Sequence, residues 1–177
     1  TFRQDASYSD GRRPDAVVFT TPENDALRRD FTINGMFYDP LSKSVIDYVG
    51  GQADLEGRVV RAIGVPADRF AEDKLRMLRA VRFAAALDFA LDAQTATAVR
   101  EMAALISVVS VERIVAEMRS MLVGTRRTRA LAILQDCGLL EHVLPEFAQR
   151  SEADRTATLA ELERLEQPSF ALALAVL

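Results

Sequence analysis

Residues 69–85 read RFAEDKLRMLRAVRFAA, and this stretch decides the fold class of the sequence around it. Arginines recur every three residues from Arg76 to Arg82, and Leu75, Leu78 and Val81 form another side of the same stretch. This spacing predicts a helix over residues 67–87 with one apolar and one cationic face. Residues three apart share a helix face, so Asp73 should lie beside Arg76 as an acceptor next to a donor fork. Such a pair can hydrogen-bond the edge of a nucleotide base.

The rest of the sequence divides at Pro66 into a mixed part and a helical part. Before it, we predict a helix that starts at Thr20 or Thr21 and runs through Asp30, together with strands at 16–19, 36–38, 45–48 and 59–63. After it, we predict no further strand but helices at 67–87, 93–105, 111–123, 128–135, 157–165 and from about 168 onward. The expected fold class is therefore α+β and predominantly α.

Composition excludes several classes of protein. The 177 residues are 49% apolar, which is enough for a hydrophobic core. The sequence contains no run of eighteen apolar residues, the length that a membrane-spanning helix needs. The one cysteine, Cys137, excludes an internal disulfide and fits a reducing, cytoplasmic compartment. With a single histidine, His142, it cannot form a zinc site, so we expect both side chains to pack.

Charge is distributed unevenly along the chain. The net charge is −4, but residues 58–82 carry seven basic side chains against three acids, a net charge of +4. Residues 130–177 carry eight acids against three arginines, a net charge of −5. The first region suits a phosphate-bearing ligand and the last would repel one.

Four ordered motifs connect this sequence to a known family. They read RRDFTING at residues 28–35, DYVGGQADL at 47–55, EDKLRMLRA at 72–80 and SVERIVAE at 110–117. Together they resemble motifs B, C, D and E of class II template-independent nucleotidyltransferases, the bacterial tRNA CCA-adding enzymes and poly(A) polymerases. Residues 8–14 also resemble the segment that precedes the first motif, and the resemblance covers about residues 1–147.

The resemblance implies a division into domains and a role for each motif. Residues 1–63 would be the C-terminal part of the nucleotidyltransferase head, 64–124 a helical neck, and 125–177 the start of a helical body. Asp73 and Arg76 would read the base as a protein template. Arg79 and Arg82 would face the phosphates or brace that pair. The triphosphate and sugar would be held by Arg29, Asp30 and Asn34.

The family's catalytic carboxylates have no counterpart in this sequence. Relatives hold Mg2+ on an Asp-x-Asp pair, and neither that pair nor the accompanying Gly-Ser occurs here. We therefore assign no catalytic or metal-binding residue in this chain and expect those carboxylates upstream. The short strands near the start also cannot form a stable sheet alone, and the chain has no closing cap, so we expect a piece of a longer protein that is inactive by itself. The substrates implied are CTP, ATP and a tRNA or other RNA 3′ end.

Several readings stay open. A poly(A) polymerase, or a specialist that adds only C or only A, shares all four motifs. A helical RNA-binding or protein-binding module, or a purely structural helical domain, would contain the same basic stripe without the activity. Arg126, Arg127 and Arg129 would either contact RNA phosphate or face water. Gly50 and Gly51 would allow a hinge or a close backbone approach, or would form an ordinary turn. We expect Glu112, Arg113 and Glu117 to form structural ion pairs.

Overall fold

The structure is a computed structural model that describes the backbone of residues 3–5 and 17–19 and all of residues 21–177. The motif at residues 8–14 lies outside the described residues. Strand β1 (Arg3–Asp5) pairs antiparallel with β2 (Val17–Phe19). The strand predicted at 16–19 is therefore confirmed at 17–19.

Short elements follow up to Gly64. Thr21 caps helix α1 by accepting the N–H of Asn24, as predicted, and Pro22 occupies the first helical turn. The helix ends at Leu27, three residues before the predicted end at Asp30. The strands predicted at 36–38 and 45–48 are present in part and pair as a hairpin, with Tyr38 opposite Val45. The elements are α1 (Pro22–Leu27), a 3₁₀ turn (Thr32–Asn34), β3 (Phe37–Asp39), β4 (Ser44–Ile46), α2 (Gly51–Glu56) and β5 (Val59–Val60).

The remainder is mostly helical, which confirms the α+β, predominantly α fold class. Its elements are α3 (Pro66–Glu72), α4 (Leu75–Leu87), β6 (Ala90–Leu91), α5 (Ala93–Met102), a 3₁₀ segment (Ala103–Val108), α6 (Val111–Leu122), α7 (Arg127–Asp136), α8 (Leu140–Val143), α9 (Pro145–Ala148), α10 (Glu152–Arg164) and α11 (Phe170–Val176). The two short helices α8 and α9 were not predicted. Helix α10 begins five residues earlier than expected because Ser151 caps it at the N–H of Asp154.

The single helix predicted over 67–87 is wrong: two helices meet at an interruption. Asp73 is extended, with φ −146° and ψ 107°, and ends α3. Its carboxylate then accepts the backbone N–H of Leu75 at 3.1 Å, which opens α4. Asp73 is thus a junction residue rather than part of a helix face.

The prediction that strands end before Pro66 is also wrong. Asp88 adopts a left-handed conformation, with φ 59°, and turns the chain back at the end of α4. Ala90 then donates its N–H to the carbonyl of Arg58, and β6 pairs parallel with β5. The pairing joins two segments that lie about thirty residues apart in the chain.

Two apolar clusters form the core. The larger one contains side chains from the helical part between α3 and α11, including Phe70, Leu78, Val99 and Leu134. The smaller one contains Phe31, Val60 and Ala62 together with Ala80, Ala84 and Phe89. The smaller cluster therefore takes side chains from both sides of the boundary that we predicted between residues 63 and 64.

Within the described part of the chain, none of the helices has the length and apolar character that crossing a lipid bilayer requires.

Candidate functional site

A polar cavity of about 500 Å³ opens where the end of α1, the α3–α4 junction, α4 and α6 come together. The described residues that line it are five arginines, two aspartates and an asparagine: Arg28, Arg29, Asp30, Asn34, Asp73, Arg76, Arg79 and Arg113. The lining carries a net charge of +3. A cavity with this charge and these donors suits an anionic ligand with polar edges, such as a nucleotide.

Arg28 and Arg29 follow the end of α1 and share one buried carboxylate. The Oδ1 of Asp25 accepts hydrogen bonds from Arg28, and its Oδ2 accepts them from Arg29 at 3.0 Å from Nη2. Arg29 also donates from Nη1 to the carbonyl of Asn34 at 2.7 Å and lies 4.7 Å from the ring centre of Phe37. The guanidinium of Arg29 is therefore fixed on two sides.

Asp30 connects this group to α4. Its Oδ1 accepts the backbone N–H of Phe31 at 3.0 Å and the side-chain amide of Asn34 at 3.2 Å. Its Oδ2 accepts the guanidinium of Arg79 at 2.7 Å. Only 9% of Asp30 is exposed, and these donors compensate for its burial. The structure thus brings together Arg29, Asp30, Asn34 and Arg79; the roles assigned to them stay predictions.

Asp73 and Arg76 line the same cavity, but not as the pair on one helix face that their spacing predicted. The helix interruption gives them different partners. The Oδ2 of Asp73 accepts a hydrogen bond from Nη2 of Arg113 at 2.7 Å. The Nη1 of Arg76 donates instead to the carboxylate of Glu72 at 2.6 Å and to the carbonyl of Arg69 at 3.1 Å. Each side chain is thus held by its own partner, and the two are not one ion pair.

Arg79 and Arg82 have different positions. Arg79 lines the cavity, whereas Arg82 is absent from the described residues that line it. Arg82 forms an ion pair with Glu117 of α6 and lies 4.2 Å from the ring centre of Phe83. Arg82 is thus not brought to the cavity lining, and both roles given to it, facing the phosphates or bracing Asp73 and Arg76, stay predictions.

Two cavity residues were missed by the sequence reasoning. Arg28 belongs to the first motif, but only Arg29 was singled out. Arg113 was expected to form structural ion pairs near Glu112 and Glu117; it pairs instead with Asp73 across 40 positions of sequence and lines the cavity. No local pattern could have shown this contact, because it depends on how α6 packs beside the α3–α4 junction.

The three arginines proposed to contact RNA divide into two kinds. Arg127 is only 4% exposed and donates to the backbone carbonyls of Leu122, Leu162 and Leu165. It is therefore a structural residue, and the expectation that it contacts RNA does not hold. Arg126 and Arg129 lie within 3.2 and 3.3 Å of Asp88, and both are 40% exposed or more. Their contact with RNA stays a prediction.

The described part of the chain does not form a metal-binding site. The described residues contain no group of three or more His, Cys, Asp or Glu side chains that could hold a metal ion. Because Mg2+ needs oxygen ligands gathered in one place, the described residues do not fit it.

Comparison with known proteins finds related sequences over most of the chain. Residues 1–61 match the family described as Poly A polymerase head domain. Residues 88–150 match the family described as Probable RNA and SrmB-binding site of polymerase A. A CCA-adding enzyme of Pediococcus pentosaceus is 43% identical over 169 residues, covering 95% of this chain and 42% of that protein. The CCA-adding enzyme of Bacillus subtilis is 44% identical over 153 residues, covering 86% of this chain and 38% of that protein.

Solved structures give the same result. The Bacillus stearothermophilus CCA-adding enzyme in complex with CTP superposes with a TM-score of 0.73 at 32% identity, covering 94% of this chain and 44% of that one. A tRNA nucleotidyltransferase complexed with a primer tRNA and an incoming ATP analog has a TM-score of 0.74 at 30% identity, covering 82% and 43%. The chain thus spans about two-fifths of the length of the curated relatives described above.

Proposed function

This chain belongs to the family of CCA-adding enzymes and poly(A) polymerases, and on that premise we propose that it is the nucleotide-selecting part of an RNA nucleotidyltransferase. The whole protein transfers CMP and AMP from CTP and ATP to the 3′ end of tRNA. The observation that carries this proposal is the single cavity that contains both base-reading candidates, Asp73 and Arg76, and the cationic groups of Arg28, Arg29 and Arg79.

Base selection follows from the hydrogen-bonding capacity that remains at two side chains. A carboxylate has about four acceptor positions, and Asp73 uses one for Leu75 and one for Arg113. A guanidinium carries five N–H donors, and Arg76 makes hydrogen bonds to Glu72, the carbonyl of Arg69 and the carbonyl of Arg28. An acceptor and a donor therefore remain for the edge of a base.

This acceptor and donor distinguish cytosine and adenine from uracil and guanine. Cytosine and adenine carry an exocyclic amine that can donate a hydrogen bond to the carboxylate of Asp73. Uracil and guanine carry a carbonyl at the same position. A carbonyl facing the carboxylate would leave both oxygens without a donor, at a cost of about 1–3 kcal/mol. The site should therefore admit CTP and ATP and reject UTP and GTP by about 5- to 150-fold.

The opposite side of the cavity would hold the triphosphate. Arg28, Arg29 and Arg79 each have their orientation set by a carboxylate, Asp25 or Asp30, before any ligand is present. Arginine forks match phosphate oxygens in geometry as well as in charge. Magnesium belongs to the same proposal but is held by residues other than those described.

The wider assignment has three further parts. We divide the chain into head (1–63), neck (64–124) and body (125–177). The match of residues 1–61 to the head family and the helical composition after Pro66 support the first boundary. Arg126 and Arg129 are proposed to contact the RNA partner. A cytoplasmic location is supported by the kinship with CCA-adding enzymes.

Primer extension by the full-length natural protein tests the activity. A tRNA transcript lacking its 3′ end is offered CTP and ATP, separately and together, with magnesium. Addition that stops after C-C-A is the expected result. A long A tail would assign the protein to the poly(A) polymerases, and addition of only C or only A would identify a specialist. No incorporation by folded protein contradicts the proposal.

A substitution of Arg76 tests the selection mechanism separately. Arg76→Ala removes a donor to the base, so we expect the preference for CTP and ATP over UTP and GTP to fall about tenfold or more. Arg164→Ala, in the exposed surface of α10, is the matched control and should leave the preference unchanged. Equal incorporation ratios for Arg76→Ala and the natural protein would contradict the role given to Arg76.

A further inference from the structure

Asp25 is a buried charge that the base-selection mechanism does not use. It lies in α1, its residue is only 2% exposed, and it is not one of the described residues that line the cavity. The sequence gives no reason to notice it, since it stands beside Glu23 in an ordinary acidic helix start. A carboxylate this deeply buried needs strong donors around it.

Those donors are the two neighbouring arginines of the cavity. Its Oδ1 accepts Nε and Nη2 of Arg28, with a distance of 3.0 Å from Nε. Its Oδ2 accepts Nε at 3.2 Å and Nη2 at 3.0 Å from Arg29. Each guanidinium thus donates the same edge, Nε with Nη2, to a separate oxygen of one carboxylate. The two guanidinium groups are fixed relative to each other by these four hydrogen bonds.

Electrostatics explains why one carboxylate between two arginines matters. Adjacent guanidinium groups repel each other, and with side chains 28% and 35% exposed they could move apart into solvent. The buried negative charge offsets that repulsion and keeps both groups at the edge of the cavity. The orientation is therefore present before a ligand binds, which removes part of the ordering cost of binding.

We propose that Asp25 is a positioning residue that holds Arg28 and Arg29 together as one binding site for the phosphate chain of a nucleoside triphosphate. The proposal rests on the proposed function for the identity of the ligand. Asp25 acts through the two arginines and does not touch the ligand. Its effect should therefore increase with the number of phosphates and should not depend on the base.

The test replaces Asp25 by its neutral isostere in the full-length natural protein. Binding of CTP and inorganic tripolyphosphate is measured by calorimetry, and binding of cytidine by ligand-observed NMR, all in EDTA so that no metal contributes. For Asp25→Asn we expect about tenfold weaker binding of CTP and tripolyphosphate, because an amide cannot accept both guanidinium edges. Cytidine binding and the ratio of CTP to UTP affinity should stay unchanged.

Two further variants separate charge from shape. Glu23→Gln removes an exposed acid from the first turn of the same helix and should leave tripolyphosphate binding unchanged. Asp25→Glu keeps the charge in a slightly different position and should recover part of the tripolyphosphate affinity lost in Asp25→Asn. Recovery by Glu would not be expected if Asp25 only filled space.

Several outcomes would overturn the inference. One is unchanged tripolyphosphate affinity in Asp25→Asn. Another is a loss of cytidine binding by the same factor as CTP, which would indicate a general structural role. Failure of the natural protein to bind tripolyphosphate would also overturn it. If the natural protein binds tripolyphosphate in an Asp25-dependent way yet does not extend a tRNA primer, the proposed activity fails and the positioning role stands.

Discussion

Replacing Arg127 by methionine should strongly destabilise the region where α6, α7 and α10 meet. Arg127 is 4% exposed and stands at the first position of α7. It donates from Nε to the carbonyl of Leu122 at 3.1 Å, and from Nη1 to the carbonyls of Leu162 and Leu165 at 3.1 and 3.0 Å. These carbonyls belong to the last turn of α6 and the end of α10, where intrahelical donors run out; the carbonyl of Leu162 also accepts the backbone N–H of Leu165 at 3.3 Å.

The magnitude follows from those three acceptors. Methionine fills much of the same volume but donates nothing, so the carbonyls of Leu122 and Leu165 lose this donor and that of Leu162 keeps only the N–H of Leu165. Each unsatisfied buried acceptor costs about 1–3 kcal/mol, while removing the buried charge recovers part of that sum. We expect a net loss of about 3 kcal/mol in the free energy of unfolding, measured by urea unfolding of the full-length natural protein.

The neighbouring arginine provides the control. Arg126 pairs with Asp88 at 3.2 Å, but both side chains are more than a third exposed. Arg126→Met should therefore cost less than about 1 kcal/mol. Equal losses for the two variants would refute the reasoning. So would an Arg127→Met protein that keeps its unfolding free energy but binds tRNA less tightly, because that result would return Arg127 to the RNA interface.

Two other predictions concern packing. A Cβ at Gly51 would lie 2.3 Å from the carbonyl oxygen of Thr32, so Gly51→Ala should cost about 2–3 kcal/mol of unfolding free energy. Gly50→Ala meets no atom within 4 Å and should cost only the left-handed strain of about 1 kcal/mol; equal costs in urea unfolding would contradict this. Burial raises the pKa of the Cys137 thiol, so iodoacetamide at pH 8 should modify it only after unfolding, and modification of the folded protein at the rate of a free thiol would contradict its burial.

Local patterns were sufficient for the regular helices and failed where the chain changes direction. Thr21 caps α1 as predicted, α5 starts at Ala93 as predicted, and α7 lies within one residue of its predicted bounds at each end. The interruption at Asp73 was not visible, because the apolar spacing from Phe70 to Leu78 continues in helical phase across it. Strand β6 has two residues and thus no period to detect, and it exists only because β5 offers free backbone groups beside it.

The candidate site shows the same division between local and long-range information. Asp30, Asn34, Asp73 and Arg76 were predicted from motifs, and the structure places them in one cavity. The resemblance, rather than any single spacing, carried that prediction, since Asp73 and Arg76 do not share a helix face. Arg113 reaches the cavity only through the packing of α6. The importance of Asp25 depends on its burial, which its neighbours in sequence do not indicate.

The parallel pairing of β5 with β6 has a consequence for how such proteins can be recombined. A chimera joined at Gly64 would take Val59–Val60 from one parent and Ala90–Leu91 from the other. It would also divide the ion pair between Arg61 and Asp92, and it would separate Phe31 from Phe89. Few chimeras with a crossover at this boundary should therefore fold. In recombinants that fold, the segments on either side of Gly64 are expected to come from the same parent.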